Sequence, residues 1–136
     1  TDSSAASDVY KRQVSHCMAA LNNSLNREEV EWETRKSLGV VMASGGYPGN
    51  YSNNHPILGL EDISSNYGRK VFHGGTKFAD NRLVTNGGRV LCVTALGDSL
   101  EDAKTSAYEL VSKISWENVQ YRTDIGWRAI EKNREN

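Results

Sequence analysis

The sequence predicts an α+β domain, a small antiparallel sheet with helices packed on one side. Three observations carry that prediction. Short apolar runs follow one another with only glycine- and asparagine-rich turns between them, as antiparallel strands do. One amphipathic helix of clear period stands after them, from Leu100 onward. A short extended piece and a last helix close the chain, with no strand–helix alternation of the kind that builds parallel sheets.

Taken in order, residues 1–13 are small and polar at first, and Asp8-Val9-Tyr10-Lys11-Arg12-Gln13 resembles the translation of a transposase-based sequencing adapter. They are set aside as a non-native or disordered leader without function. Val14, Cys17, Met18, Leu21 and Leu25 recur on one helical face, so Val14 to Leu25 is expected to be a helix, weakened at its end by Asn22, Asn23 and Asn26. Glu29-Val30-Glu31-Trp32-Glu33 alternates like a half-buried strand. Leu38 to Ser44 is more apolar and reads as a central strand, broken by Gly45-Gly46-Tyr47-Pro48-Gly49. His55 to Leu60 is a short extended piece, and Lys70-Val71-Phe72-His73 a third main strand, ended by Gly74-Gly75-Thr76. Lys77 to Asp80 is a connector. Arg82 to Thr85 and Arg89 to Ala95 are expected to pair as a hairpin through Asn86-Gly87-Gly88. Ser99 is a good N-cap for a helix from Leu100 to about Ser115, with Glu101 and Asp102 in its first turn and Ala103, Ala107, Leu110, Val111 and Ile114 on its apolar face. Gln120-Tyr121-Arg122 is extended, and Thr123 caps a last helix from Asp124 to about Lys132.

Composition excludes several classes. The 136 residues suit one domain with a modest core, and a net charge of -1 gives no global field toward nucleic acid or membrane. Cys17 and Cys92 read as reduced core thiols, which favours a cytoplasmic protein. No apolar run approaches the ~20 residues that span a bilayer, and no signal peptide is recognised. There is no GxxxxGK[ST] phosphate loop, no Cys/His metal constellation, and no ligand spacing among His16, His55 and His73. Carboxylates are scattered rather than paired for acid–base work. No catalytic residue is assigned.

What remains is a binding pattern. Gly87-Gly88 delivers Arg89 at the mouth of the apolar run Val90 to Ala95, and a fixed guanidinium fork beside bare backbone suits an anion. The competing reading has Arg89 on a surface turn, paired with an acid. His73 beside Gly74-Gly75-Thr76 can meet an anion or a substrate hydroxyl, or be a satisfied structural histidine. Gly45, Gly46 and Tyr47 line a site or form a plain loop.

Several motifs together resemble one family. They are Leu38-Gly39-Val40-Val41-Met42-Ala43-Ser44-Gly45-Gly46-Tyr47-Pro48-Gly49 with Tyr51, then Gly59-Leu60, then Val71-Phe72-His73-Gly74-Gly75-Thr76. Thr85-Asn86-Gly87-Gly88-Arg89-Val90-Leu91-Cys92-Val93-Thr94-Ala95-Leu96-Gly97 and Arg122-Thr123-Asp124-Ile125-Gly126-Trp127-Arg128-Ala129-Ile130 complete the series. In order and spacing these resemble the C-terminal domain of the phosphoribosylamine–glycine ligases, from about Val14 to Lys132. The one departure is Gly74, where the family usually has alanine.

The resemblance implies an enzyme of de novo purine synthesis that joins 5-phosphoribosylamine to glycine, with ATP converted to ADP and phosphate. Glycine is activated as an acyl phosphate, and Mg²⁺ (or Mn²⁺) is held in an ATP-grasp core upstream. Residues 14–28 would be the helix leaving that core, and residues 29–136 the C-terminal domain, biotin-carboxylase-C-terminal-like in fold, that covers the cleft. The chain would then be inactive alone and bind neither ATP nor metal itself. Its partners would be the missing core and the small-molecule substrates, with no nucleic acid and no membrane. Arg89, with Gly87 and Gly88, becomes the first candidate for contact with the substrate phosphate; His73, Gly75 and Thr76 are second, and Gly45, Gly46 and Tyr47 third. Arg122 and Asp124 are left between a site role and a surface pair with a helix cap. The alternatives are a free-standing phosphate- or nucleotide-binding module and a structural domain without catalysis.

Overall fold

The longest strand, Arg89–Gly97, runs through the middle of the molecule, and the other elements are placed by it. In the computed structural model, residues 13–27, 33–63, 66 and 68–134 are described. They contain β1 (Lys36–Ala43), β2 (Arg69–His73), β3 (Thr76–Ala79), β4 (Arg82–Thr85), β5 (Arg89–Gly97) and β6 (Gln120–Tyr121). Three helices accompany them: α1 over residues 13–21, α2 (Leu100–Val111) and α3 (Trp127–Arg134). The chain divides into two compact units, Thr1–Glu33 and Thr34–Asn136.

In the first unit, α1 ends at residue 21, short of the expected Leu25, where the asparagines that weaken its end begin. Asn23 takes a φ of 54°, its N–H reaches the Ala20 carbonyl at 3.3 Å, and the Ser24 N–H reaches the Ala19 carbonyl at 2.8 Å. That is the paired closure of a Schellman stop, with asparagine in the left-handed position. A 3-10 turn, Leu25–Arg27, follows. Val14, Met18, Leu21 and Leu25, the expected apolar stripe, are all exposed. The strand expected over Glu29 to Glu33 lies outside the described residues apart from Glu33, which belongs to no strand.

In the second unit, four strands form an antiparallel sheet in the order β2-β5-β1-β6. Alternation along β1 and β5 puts Leu38, Val40 and Met42 beside Leu91, Val93 and Ala95 on one face. α2 packs there with Ala103, Ala107, Leu110 and Val111. Small alanines at two of these positions let the helix lie close to the strands. Ser99 caps α2 as predicted. Its Oγ accepts the Asp102 N–H at 3.0 Å, while the Asp102 carboxylate accepts the Ser99 N–H at 3.2 Å, a complete capping box. The helix stops at Val111, short of the expected Ser115. Ser115 instead bridges Leu58, with N–O distances of 2.9 and 3.1 Å. Gly59 permits this approach at a φ of +84°, where an added Cβ would lie 1.9 Å from the Lys113 carbonyl oxygen.

Three other expectations are corrected. Arg82–Thr85 does not pair with β5. It pairs with Thr76–Ala79, which overlaps the connector expected over Lys77 to Asp80, in a separate two-stranded sheet. The reversal lies at Asp80-Asn81, whose φ values of 50° and 57° are those of a type I′ hairpin turn. α3 starts at Trp127 rather than Asp124, because Gly126 at a φ of +84° belongs to the preceding turn, closed by Trp127 N–H to Asp124 O at 3.2 Å. Thr123 is therefore no cap. Cys17 is exposed rather than a core thiol, and Cys92 is half-buried; both are free. Among the described residues, no helix is long and apolar enough to cross a membrane.

Candidate functional site

Register brings the glycine clusters together. Ala43 ends β1 opposite Arg89, which begins β5, and opposite Gln120, which begins β6. His73 ends β2 opposite Leu91. The turns after Ala43 and His73 and the turn before Arg89 thus leave the sheet at the same end.

Backbone bonds join these turns to one another. Ser44 donates its N–H to the Gly88 carbonyl and its hydroxyl to the Gly87 carbonyl, each at 2.8 Å. The Gly74 and Gly75 N–H groups share the Val90 carbonyl at 2.9 and 3.1 Å, and the Asn86 N–H reaches the Gly75 carbonyl at 2.8 Å. Ser44 is buried at 2 % exposure, and these bonds satisfy both of its donors. The glycines make the contact possible. A Cβ on Gly88 would lie 2.1 Å from the Tyr47 ring, one on Gly75 2.8 Å from the Arg89 carbonyl oxygen, and one on Gly45 2.5 Å from the Asn118 carbonyl oxygen. Tyr47 is fixed in turn by Gln120, whose Nε2 donates to the Tyr47 carbonyl at 2.7 Å, and lies edge-on to Tyr51. Gly46 has a φ of +93°.

A β-bulge directs Arg89. Met42 faces Leu91 and Ala43 faces Arg89, so Val90 is the extra residue. Val90 and Leu91 are both buried, and Arg89 comes out exposed. No side-chain hydrogen bond or ion pair engages its guanidinium among the described residues. The competing reading of Arg89, a surface turn paired with an acid, does not hold there. His73 is also exposed, and its Nδ1 lies 3.2 Å from the Thr76 hydroxyl. The structure therefore places Arg89, Gly87, Gly88, His73, Gly75, Thr76, Gly45, Gly46 and Tyr47 at one end of the sheet.

Arg122 and Asp124 form a surface pair, with guanidinium–carboxylate distances of 2.8 and 2.6 Å. The hydrogen bond to Asp124 raises the Arg122 pKa further, and the same bond from Arg122 holds the Asp124 carboxyl below its ordinary range. Tyr108 braces this segment by donating its hydroxyl to the Arg122 carbonyl at 2.6 Å. Sequence reasoning missed one further cluster. The Ser52 hydroxyl lies 2.6 Å from His55 Nε2, and His55 Nδ1 lies 3.2 Å from a Glu117 carboxylate oxygen. It ties the loop after Tyr51 to the turn before β6. Ser52 and His55 are three residues apart, but Glu117 is 62 residues beyond His55, so no spacing in the sequence announces the cluster as a whole.

Among the described residues no group of three or more His, Cys, Asp or Glu side chains could hold a metal ion. These residues do not fit Mg²⁺. The exposed Arg89 suits an anion that arrives with its own negative charge.

Known proteins match the chain closely. The family described as "Phosphoribosylglycinamide synthetase, C domain" matches residues 37–128. A phosphoribosylamine–glycine ligase of Escherichia coli strain K12 is 52% identical over 121 residues, which is 87% of this chain and 28% of that protein. One from Pseudomonas syringae is 51% identical over 116 residues, 85% of this chain and 27% of that protein. The crystal structure of a phosphoribosylamine–glycine ligase from Thermotoga maritima superposes with a TM-score of 0.61 at 30% identity, covering 79% of this chain and 26% of that one. The chain thus spans about 28% of the length of these relatives. With the motif order, the α+β fold and the solved neighbour in agreement, this chain belongs to the phosphoribosylglycinamide synthetase C-domain family.

Proposed function

We propose that this domain works as part of a phosphoribosylamine–glycine ligase, an ATP-dependent enzyme that joins 5-phosphoribosylamine and glycine into glycinamide ribonucleotide in cytoplasmic purine synthesis. In that reading ATP and Mg²⁺ (or Mn²⁺) are bound by the rest of the enzyme and supply the activation of glycine. This domain closes the cleft, and Arg89 holds the substrate phosphate. The partners are the small-molecule substrates and the remaining domains, without nucleic acid or membrane.

One observation carries the assignment of Arg89. It is an exposed, unpaired guanidinium whose backbone is held by a bulge and by three interlocked turns. The turn that carries it is thus fixed before ligand arrives, and only the free side chain has to be ordered on binding. Its role is to position substrate; it moves no proton. His73 and Thr76, linked to each other at 3.2 Å, are the neighbours able to donate to the same anion or to a ribose hydroxyl.

The test replaces the matching domain of the Escherichia coli ligase with residues 34–136 of this chain and measures steady-state ligation. Arg89→Ala is expected to raise KM for phosphoribosylamine roughly tenfold or more, as loss of a charge-assisted contact of about 1.5–3 kcal/mol requires. KM for glycine and ATP should hardly change. An unchanged phosphoribosylamine KM would remove Arg89 from the phosphate site. The alternative of a free-standing phosphate-binding module predicts an inactive hybrid, with ribose 5-phosphate still binding the isolated chain through Arg89.

A further inference from the structure

The interlocked turns contain one reactive pair of neighbours. Of the asparagines in the chain, only Asn86 is followed by glycine. Asparagine is thermolabile because the next main-chain nitrogen can close a ring on its side-chain carbonyl. A glycine successor has no Cβ to shield that nitrogen. Here the turn leaves both reacting groups free and holds the atoms around them. Asn86 is exposed, and its side chain makes no hydrogen bond among the described residues. The Gly87 N–H donates to no acceptor there either. By contrast, the Asn86 N–H is fixed to the Gly75 carbonyl at 2.8 Å, and Ser44 fixes the Gly87 and Gly88 carbonyls at 2.8 Å each. Gly75 keeps the approach open, since a Cβ there would stand 3.2 Å from the Gly87 nitrogen.

We propose that Asn86 is a self-modification site whose conversion loosens the cradle under Arg89. The Gly87 nitrogen bonds to the Asn86 side-chain carbonyl carbon. The bond from that carbon to the side-chain nitrogen breaks, and the Gly87 amide proton leaves with that nitrogen as ammonia. Water then opens the cyclic imide. Opening at the side-chain carbon leaves aspartate, and opening at the main-chain carbon leaves isoaspartate. Solvent water is the co-reactant, and nothing is oxidised or reduced. Either product places a carboxylate three residues before Arg89, whose guanidinium has no acidic partner among the described residues. A carboxylate matches that fork as a phosphate does. Isoaspartate also routes the main chain through the side-chain carbons, which lengthens the path from the Asn86 N–H to the Gly87 carbonyl. Both ends of that path are bonded, one to Gly75 and one to Ser44, so the longer path has to release one of them. Weaker phosphate binding after conversion rests on the function proposed above; the conversion and the loosening do not.

The 136-residue chain is incubated folded at mildly alkaline pH, where the Gly87 amide gives up its proton more readily. Peptide mass spectrometry locates each converted asparagine, and an isoaspartate methyltransferase counts the isoaspartate. Asn86 converts roughly tenfold or more faster than any other asparagine, and Asn86→Gln, whose longer side chain closes the ring poorly, shows no conversion at that position. Amide exchange at Ser44 and Gly75 is roughly tenfold or more faster in the isoaspartate fraction than in the fresh chain. Asn86 that keeps its amide in the folded chain overturns the proposal, and its conversion in urea would assign the protection to the turn. An isoaspartate fraction that exchanges at the fresh rate overturns the loosening of the cradle. In the Escherichia coli hybrid carrying residues 34–136, aged protein shows a phosphoribosylamine KM roughly tenfold or more above that of fresh protein. If Arg89→Ala raises this KM and ageing does not, the link to binding is overturned. If neither raises it, the phosphate site fails and the conversion at Asn86 stands.

Discussion

Arg89 is exposed because Val90 is inserted, not because the strand is short. Were Val90 a regular member of the ladder instead of a bulge, strict alternation would put position 89 on the same side as Leu91, Val93 and Ala95. The glycines around it act mainly on each other. Gly88 has ordinary room for its backbone, yet a methyl group there would overlap the Tyr47 ring at 2.1 Å. Gly88→Ala is therefore expected to destabilise the domain by about 1–3 kcal/mol, through displacement of Tyr47. Urea unfolding monitored by tyrosine fluorescence tests this; a change within about 0.5 kcal/mol would mean that Tyr47 swings away freely. The Arg122–Asp124 pair gives a pH prediction. Asp124 is held below its ordinary value, so its contribution is present above the usual carboxylate range near 3.8 and is lost as pH falls through its lowered pKa. Asp124→Asn should then narrow its difference from the parent protein only in acid, with a constant difference above about pH 5. Both side chains are exposed, so the effect is small and sensitive to salt. The raised pKa of Arg122 contributes in full at every pH below the Arg titration range, so it adds no pH dependence here. A difference that keeps changing between pH 6 and 8 would point to another group.

Elements with their own period and caps were readable from the residues. α2 carries its apolar face, its capping serine and its acidic first turn within a dozen residues, and β1, β2 and β5 are continuous apolar or alternating runs. Pairing was not readable. Asn86-Gly87-Gly88 has hairpin composition, but a turn residue specifies a change of direction and not the strand that will be met. The true hairpin was hidden because β3, Thr76-Lys77-Phe78-Ala79, buries little and shows no apolar side. Its turn uses Asp80-Asn81, where asparagine supports the left-handed conformation less well than glycine. Asn81→Gly is expected to stabilise the β3–β4 hairpin by up to about 1 kcal/mol, seen as slower amide exchange at Thr76–Ala79 and Arg82–Thr85. Faster exchange would show that the asparagine side chain itself holds the turn. α3 shows the same limit: Thr123 is a fair cap by composition, and Gly126 overrules it by conformation.

At the scale of the whole molecule, the family was legible because its motifs occur in order at fixed spacing over most of the chain, which chance composition does not reproduce. The convergence of the site was only partly legible. The turns that hold residues 44, 75 and 88 are joined because the antiparallel register puts three strand ends together, and register is a property of the assembled sheet. The Ser52–His55–Glu117 tether was invisible for the same reason. The role of each candidate residue is less legible still, since this chain spans only about 28% of the length of its relatives.

The interlocked turns have one more consequence. Most of the bonds that shape them run from main chain to main chain, from Ser44 to Gly88, Gly75 to Val90 and Asn86 to Gly75. The shape of this end of the sheet is therefore written in peptide groups, which every amino acid carries, and in the absence of a few methyl groups. A lineage can drift freely at the outward side chains of these turns and keep the same cradle, provided that Gly75 and Gly88 stay bare. The surface around Arg89 can then be revised without rebuilding the support beneath it.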